Sequence, residues 1–495
     1  MKAKSRTAKT IATVIVWAAV VTLLDQATVG VIQAAEKPNF VVIFCDDLGY
    51  GDLGCFGHPT IRTPNLDRMA VEGQKWTNFY VGASVCTPSR AALMTGRHAI
   101  RSGTQSVPVG LPYYGIVPWE ITIAELLSDA GYATGIFGKW HLGKTSGRFP
   151  TDQGFDEWYG IPNSTDECLW VSPEVTASNP NARDIGGSIP DHEVPWIMEA
   201  RKGEGPEKLT IYDVEQRRLI DAELTRRAIA FMKRSSAAGK PFFAYVPLTA
   251  MHYPTFPHPD FAGNTGNGDY ADMLVQTDHY LGQMVDALQG LGIEEETIVI
   301  FAADNGAEDP ENGGGLMSGW TGPWAGTYFT ALEGGLRAPF AIRWPGKIPA
   351  GQVSNEIVHI VDLFPTLATM TGVEAPTDRP IDGVDQSDFL LGESEKSNRE
   401  GFAIYVGDTL YGAKWRNWKA HLVWQETKFG TQQPFSTVPM IVDLTTDTRE
   451  ERTVAEHYNT WLQYPVMSMF FGFQQSMMKH PNVPLGAPDS YGPPK

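Results

Sequence analysis

Residues 84–97 (SVCTPSRAALMTGR) place a cysteine at the predicted start of a helix, where it could do chemistry. Thr87 is predicted as the N-cap and Pro88 as the first helical residue, so Cys86 would lie at the helix N-terminus. Free backbone N–H groups and the positive dipole end favour an anion there, and Arg90, about one turn further on, could direct two donors at it. From these residues alone, Cys86 is either a nucleophile with a lowered thiol pKa or an inert buried thiol.

Two pairs of metal-binding side chains follow apolar runs. Asp46 and Asp47 come after one such run near the N-terminus, and Asp304 and Asn305 come after another. Three carboxylates and one amide oxygen form a hard, all-oxygen ligand set that suits Ca²⁺, or Mg²⁺, better than Zn²⁺. Asp46 and Asp47 would face opposite sides of a continuing strand, so a bend is predicted at the strand end. Either pair alone would also fit a solvated turn.

Basic residues follow two further apolar runs. Lys139 and His141 are two residues apart, so an extended backbone would put both side chains on one side. Taken alone, this segment could equally be a surface turn. His252 also follows a strand pattern, but a single histidine in such a position is more often packed or exposed than catalytic.

The elements that must position these residues are short strands alternating with helices. Apolar residues recur at helical spacing in residues 220–231 and 274–288. Such alternation predicts an α/β fold with a large, mostly parallel central sheet and helices on both faces. Ligands of such sheets bind at the carboxyl ends of the strands, so the polar residues named above are expected to meet. The predicted strands are residues 39–44, 134–137, 241–246, 297–302 and 340–343.

A polar, charged stretch near Glu393 predicts a domain boundary. Beyond it, residues 402–406, 413–423 and 440–444 are predicted as strands of a smaller antiparallel sheet, and residues 458–478 as a packing helix. The predicted organisation is a signal peptide (1–35), a catalytic domain (36–392), a C-terminal α+β subdomain (393–480) and an irregular tail (481–495).

The N-terminal hydropathy pattern bears on the location of the protein, and the net charge bears on its partners. A basic start followed by a short apolar run and small residues before Glu36 predicts a cleaved signal peptide and export to the periplasm or the extracellular space. The alternative is an uncleaved anchor, but the run is short for a bilayer, and no stable membrane insertion of the mature chain is expected. The net charge of −18 disfavours nucleic acid, so an anionic substrate would need a local cluster of cations.

Residues 84–97, together with residues 131–143 (GYATGIFGKWHLG), resemble the type I sulfatases of the alkaline-phosphatase-like superfamily. In that family the cysteine of C-x-P-x-R is oxidised to formylglycine by a dedicated generating enzyme, which the resemblance implies as a maturation partner. The resemblance implies Ca²⁺ bound by Asp46, Asp47, Asp304 and Asn305, with the modified Cys86 as a further ligand.

The resemblance also implies a mechanism of sulfate ester hydrolysis. A hydroxyl of the hydrated formylglycine would attack sulfur, and a second hydroxyl would lose its proton and expel sulfate. Lys139 would neutralise a sulfate oxygen, His141 would orient or deprotonate the hydrate, and His252 would protonate the departing oxygen.

One position departs from the family pattern. Relatives carry a basic residue shortly before a G-T-Y…E-G-G segment, whereas this chain has Ala325 there. His258 or Lys144 could supply the missing charge. The expected substrate is a sulfated small molecule or a sulfated glycan. The alternatives are a formylglycine-dependent phosphodiester or phosphonate monoester hydrolase and a non-catalytic polyanion-binding protein.

Overall fold

A computed structural model describes residues 37–107, 111, 113–172, 194–308, 319–435, 439–452 and 460–492. Residues 38–495 form one compact unit. The predicted signal peptide, residues 1–35, lies outside the described residues, as do the last three residues of the predicted tail. Within the described ranges, no helix combines the length and apolar character needed to cross a membrane.

The described residues form strands and helices in the following order along the chain. The strands are β1 (Asn39–Cys45), β2 (Gln74–Trp76), β3 (Phe79–Tyr80), β4 (Ala133–Phe137), β5 (Glu157–Gly160), β6 (Trp196–Arg201), β7 (Glu207–Ile211), β8 (Phe242–Pro247), β9 (Thr297–Ala303), β10 (Ala341–Arg343), β11 (Gln352–Ser354), β12 (Val358–His359), β13 (Gly401–Val406), β14 (Thr409–Trp415), β15 (Trp418–His421), β16 (Val423–Trp424), β17 (Gln433–Pro434) and β18 (Met440–Asp443). The α-helices are α1 (Pro64–Glu72), α2 (Cys86–Thr95), α3 (Ala99–Ser102), α4 (Ile123–Asp129), α5 (Val214–Ala237), α6 (Asp269–Leu291), α7 (Glu333–Leu336), α8 (Leu363–Thr371), α9 (Ser387–Leu391) and α10 (Gln463–Lys479).

The main sheet has ten strands in the order β11-β2-β10-β9-β1-β8-β4-β5-β6-β7. Its central strands β9, β1, β8, β4 and β5 are parallel, which confirms the predicted parallel centre. The sheet is nevertheless mixed, because β10, predicted as one more strand of the alternating series, runs antiparallel to β9. β6 and β7 continue the other flank as antiparallel neighbours.

Every residue of β1 and of β9 is buried, so both faces of the sheet centre are covered. The covering helices form two groups. In one, α5 packs on β8 and β4 and contacts α6, which contacts α1. In the other, α4 packs on β4 and contacts α2 and α8. The unbroken apolar runs in the sequence reflect this burial on both faces.

The small C-terminal sheet is antiparallel, in the order β13-β14-β15-β18, and α10 packs on β13 and β14. The prediction of one strand over residues 413–423 was wrong. A turn at Arg416, with a left-handed φ of 51°, separates β14 from β15. The boundary predicted near Glu393 falls between α9 and β13 and stays a prediction.

A buried ionic cluster joins the C-terminal sheet to α7. Lys419 Nζ lies 3.1 Å from Glu333 Oε1 and 3.1 Å from Glu450 Oε2. Arg337 pairs with Glu333 at 2.8 Å, and His421 Nε2 lies 2.7 Å from Glu450. Since these charges are buried, each depends on the others for compensation, and the cluster fixes the segment that leads into α7.

Gly138, the residue before Lys139, is a position where a side chain cannot be accommodated. Its φ is 147°, and an added Cβ would lie 1.8 Å from the carbonyl oxygen of Pro247. We expect Gly138→Ala to lower the free energy of unfolding by about 3 kcal/mol, measured by urea denaturation, because backbone strain and a backbone clash add.

Gly239→Ala is the matched control for that change. Gly239 also has a positive φ, 63°, but an added Cβ would have no atom within 4 Å. Its expected cost is about 1 kcal/mol, from backbone strain alone. Equal losses for the two variants would contradict the argument from close approach.

Candidate active site

The predicted site residues meet at one edge of the main sheet. β9, β1, β8 and β4 are adjacent and parallel, so their carboxyl ends lie side by side. Asp304 N–H donates to Cys45 O at 3.1 Å, Asp46 N–H donates to Ala250 O at 2.9 Å, and Lys139 N–H donates to Pro247 O at 2.9 Å. Backbone hydrogen bonds therefore connect the segments that follow these four strands.

Cys86 is the first residue of α2, so the helix starts two positions earlier than a Thr87 cap would give. Val85 is the N-cap, and the Thr87 hydroxyl donates instead to the carbonyl oxygen of His141 at 3.1 Å. The predicted cap at Thr87 was wrong, whereas the predicted position of Cys86 at a helix N-terminus is confirmed. Pro88 lies in the first turn, where a missing N–H leaves no helical bond unmade.

The environment of Cys86 does not activate a thiol. The side chain is 1% exposed, and burial raises the thiol pKa to about 12; Lys139 opposes the rise, and the carboxylates of Asp46 and Asp304 add to it. This environment therefore disfavours a thiolate nucleophile with a lowered pKa, one of the two sequence-based interpretations.

Arg90 does not direct its donors at an open anion site as predicted. Its Nε and Nη2 contact Asp304 Oδ2 at 2.9 Å and 2.8 Å, Nη2 lies 3.4 Å from Asp46 Oδ1, and Nη1 donates to Lys139 O. The guanidinium is buried, so its charge compensates these carboxylates and holds them in place. The sequence could not reveal this, because Arg90 and Asp304 are 214 positions apart.

The bend predicted between Asp46 and Asp47 is present. β1 ends at Cys45, and Asp47 adopts a left-handed φ of 55°. Asp47 N–H donates to Asp304 Oδ1 at 3.3 Å, and Asn305 Nδ2 donates to Asp47 Oδ1 at 2.6 Å. The two predicted ligand pairs, which are distant in the sequence, are thus in direct contact.

Buried acceptor oxygens without hydrogen-bond donors mark this cluster as a cation site. Asp46 Oδ1, Asp47 Oδ2 and Asn305 Oδ1 are all buried and lack a hydrogen-bond partner. Burial and neighbouring carboxylates raise the pKa of Asp47 and, more strongly, that of Asp304, while Lys139 and Arg90 overcome burial and lower that of Asp46. A hard divalent cation would satisfy the unpaired oxygens and offset the repulsion, so the residues present fit Ca²⁺ or Mg²⁺.

His252 also lies at this cluster. One ligand atom each from Asp46, Asp47 and His252 lie within 4.8 Å of one another, and His252 Nε2 is 3.7 Å from Asp47 Oδ2. The three orphaned oxygens favour a hard cation, for which an imidazole is a poor ligand, so His252 would lie beside such an ion rather than bind it. Burial lowers the His252 pKa, but Asp47, Asp46 and Asp166 together outweigh it, and the net shift is upward.

Lys139 and His141 both face the cluster, although the backbone between them is not extended. His141 has a φ of 59°, so the predicted strand-like alternation was wrong. Lys139 Nζ lies 2.6 Å from Asp46 Oδ2. Burial and the charge of Lys139 hold the pKa of His141 well below its usual value, and His141 Nδ1 is buried without a partner. A neutral imidazole in this position can accept a proton.

Sequence reasoning missed Tyr328, which belongs to the same buried cluster as Cys86. Tyr328 N–H donates to Ala307 O at 2.9 Å, and Phe329 N–H donates to Ser84 O at 2.8 Å. The segment that starts at Ala325 therefore runs from the metal-ligand strand end to the residues before Cys86. The aromatic pair in the G-T-Y-F sequence was the signal that could have identified it.

The two residues suggested as substitutes for a basic residue at position 325 lie in different surroundings. His258 contacts Asp260 and Phe261 and lines a separate cavity with His279 and Asp286, away from the residues around Cys86. Lys144 acts electrostatically on Glu167, whose pKa burial raises to about 7. Lys139 of the site also acts electrostatically on Glu167.

Comparisons with known proteins agree with this geometry. A family model described as Sulfatase matches residues 38–373. The chain is 37% identical over 452 residues to N-acetylgalactosamine-6-sulfatase of Canis lupus familiaris, covering 87% of this chain and 81% of that protein. It is 40% identical over 379 residues to human arylsulfatase A, covering 76% of this chain and 71% of that protein.

The crystal structure of a sulfatase from Pseudoalteromonas sp. superposes with a TM-score of 0.83 at 30% identity, covering 90% of this chain and 92% of that chain. The predicted alkaline-phosphatase-like architecture is therefore confirmed. With its family model, relatives and fold in agreement, the chain belongs to the sulfatase family and is a sulfuric ester hydrolase.

Proposed function

We propose that this enzyme hydrolyses sulfate esters at Cys86 after oxidation of that residue to formylglycine, beside a calcium ion. The single observation that carries the proposal is the position of Cys86: a buried residue at a helix N-terminus, where burial raises the thiol pKa to about 12 and three neighbouring carboxylates add to the rise. Such a thiol is a poor nucleophile as it stands, so a chemically converted side chain explains the site better.

The ion would be held by Asp46, Asp47, Asp304 and Asn305. Asp46, Asp47 and Asn305 carry the buried oxygens without a hydrogen-bond partner, and Asp304 accepts a hydrogen bond from the backbone of Asp47. The converted side chain supplies a hydroxyl nucleophile in its hydrated form, and the divalent ion supplies stabilisation of negative charge. Arg90 keeps the carboxylates in register without contacting the ester.

The remaining side chains have distinct proposed roles. Lys139 uses one of its three N–H donors on Asp46 and can direct another at a sulfate oxygen. His141, with a lowered pKa, accepts a proton from the nucleophilic group. His252, at the rim of the site and 8% exposed, donates a proton to the departing oxygen.

Parallel assays with an aryl sulfate and an aryl phosphodiester test the proposed reaction. The chain, produced together with a formylglycine-generating enzyme, should hydrolyse the sulfate with the higher kcat/KM. A clear phosphodiester preference would instead support the rival hydrolase. Equilibrium binding of a sulfated polymer without any turnover would support the non-catalytic alternative.

Replacing His252 with alanine should affect esters according to their leaving group. We expect kcat/KM to fall about 10²- to 10³-fold for alkyl or sugar sulfates and less than about tenfold for a nitrophenyl sulfate, whose oxygen needs no proton to depart. His279→Ala is the control, because His279 is exposed and lies in the separate cavity. The same loss for all leaving groups would contradict proton donation by His252.

The proposed substrate is a sulfated glycan or a small sulfate ester. Two of the relatives are named for opposite ends of this range, an N-acetylgalactosamine-6-sulfatase and an arylsulfatase. Measuring sulfate release from a panel of defined sulfated sugars and aryl sulfates will separate the two. We also propose export, from the N-terminal sequence pattern, which cell fractionation and N-terminal sequencing of the mature chain will test.

A further inference from the structure

The two buried cationic side chains of the site, Arg90 and Lys139, already contact acceptor groups of the protein. Arg90 directs three of its nitrogen atoms at Asp304, Asp46 and the Lys139 carbonyl oxygen. Lys139 Nζ contacts Asp46. A sulfate group has three non-bridging oxygens, and Lys139 and the proposed ion both lie on the side of the carboxylates, so an oxygen on the opposite side needs a partner of its own.

The side of the site formed by residues 325–329 offers aromatic groups rather than a cation. Ala325 begins this segment, and Tyr328 shares a buried cluster with Cys86. Burial raises the pKa of the Tyr328 hydroxyl, so this group brings no charge of its own. A sulfate oxygen on this side would therefore lack a cationic partner among residues 325–329 unless another element provides one.

Lys428, from the segment between β16 and β17, lies beside residues 328 and 329 on this side of the site. Its Nζ lies 5.0 Å from the ring centroid of Tyr328 and 5.0 Å from that of Phe329. The side chain is half-buried, and the aromatic faces hold its ammonium group by cation–π attraction.

The backbone around Lys428 is held in a defined conformation. The buried Gln425 donates through Nε2 to Thr427 O and to Lys428 O, both at 2.9 Å. The Tyr411 hydroxyl donates to Gln425 Oε1 at 2.7 Å, which orients the amide. Lys428 is thus positioned by the C-terminal sheet, and placing it requires little further ordering when a ligand binds.

Glu308 links Lys428 electrostatically to the reaction centre. Burial and Asp47 raise the pKa of Glu308 to about 7, whereas His252 and Lys428 oppose that rise. A single carboxyl group is therefore within electrostatic reach of the proposed acid, a proposed metal ligand and Lys428. The contact of Lys428 with Tyr328, which shares a buried cluster with Cys86, agrees with this and places Lys428 on the Tyr328 side of the site.

We propose that Lys428 binds the sulfate group of the ester from the side of Tyr328, so that the C-terminal sheet supplies the cation that Ala325 lacks. This inference rests on the proposed hydrolysis of sulfate esters at Cys86. Lys428 would act as a catalytic residue, in direct contact with substrate, and inorganic sulfate, the product, should bind to the same ammonium group.

The test compares Lys428→Met, Lys428→Gln and Lys428→Arg with the full-length, formylglycine-containing enzyme. Methionine keeps an unbranched stem for the two rings but removes the charge. We expect the Met and Gln variants to lose about ten- to a hundredfold in kcat/KM for an aryl sulfate and to bind inorganic sulfate more weakly by a similar factor, with Arg retaining most of both. Lys396→Met, an exposed lysine of the same C-terminal region, is the control.

Sulfate binding is measured by calorimetry, independently of turnover, and thermal unfolding shows that each variant is folded. If the Met and Gln variants keep kcat/KM and sulfate affinity within about twofold of the parent, Lys428 only packs on the rings and the proposal is overturned. A parent enzyme that binds sulfate through Lys428 but hydrolyses no sulfate ester would refute the proposed function and leave this inference standing.

Discussion

Replacing Cys86 with alanine is expected to abolish sulfate ester hydrolysis, lowering kcat by about 10⁴-fold or more. The side chain at this position is the proposed precursor of the nucleophile, and the described surroundings offer no equivalent: Arg90 and Lys139 are held by carboxylates, and Thr87 donates its hydroxyl to a backbone carbonyl. Steady-state assays with an aryl sulfate would measure the loss.

The fold should survive this change. Cys86 lies in a small buried cluster with Ala83 and Val85, and alanine leaves a cavity of one sulfur atom, which we expect to cost about 1 to 2 kcal/mol of unfolding free energy. Cys168→Ala is the matched control, because Cys168 is equally buried but lies outside the cluster that contains Cys86. That variant should lose similar stability and keep its activity.

Peptide mass analysis of residues 84–90 gives the second readout. Active enzyme should carry an aldehyde in place of the Cys86 thiol, and the active fraction should scale with the fraction converted. Full activity in a preparation that contains only the unmodified thiol would refute the formylglycine hypothesis, whatever the alanine variant shows.

The sequence predicted the convergence of the site because two local patterns were sufficient for it. Unbroken apolar runs identified strands that are buried on both faces, and parallel strands necessarily bring their carboxyl ends to one edge. Asp47 and Asn305 are bonded to each other although they are 258 positions apart, as this rule requires. The bend at Asp47 followed from the need for both aspartates to face one ion.

What the sequence did not predict depends on contacts between distant segments. The carboxylates that pair with Arg90 become its neighbours only when the sheet has formed. The left-handed backbone at His141 could not be predicted either, because the residue at that position is not a glycine. Lys428 lies in an irregular segment between two short strands, β16 and β17, and contacts Tyr328, which lies in the turn before α7. No periodicity connects such residues, so only the folded chain could reveal them.

Removing the divalent ion is expected to have an effect comparable to losing Cys86. Treatment with a chelator should lower kcat by about 10³-fold or more, because three carboxylates would then face the sulfate with only Arg90 and Lys139 to offset their charge. Calcium should restore activity, and if magnesium restores it as well or better, the assignment of calcium is wrong. The residues themselves allow either ion, since all the oxygens they offer are hard ligands.

Stability gives a readout that does not depend on catalysis. Burial and mutual repulsion raise the pKa of Asp47 and Asp304, so the ion-free site is destabilising, and binding of an ion at 100 times its Kd should add about 2.7 kcal/mol to the free energy of unfolding. Asp47→Asn should remove most of this calcium-dependent increase in Tm, whereas Asp260→Asn, at an exposed position, should leave it unchanged. If the increase persists in Asp47→Asn, the ion binds elsewhere, and the buried oxygens of Asp46 and Asn305 need another explanation.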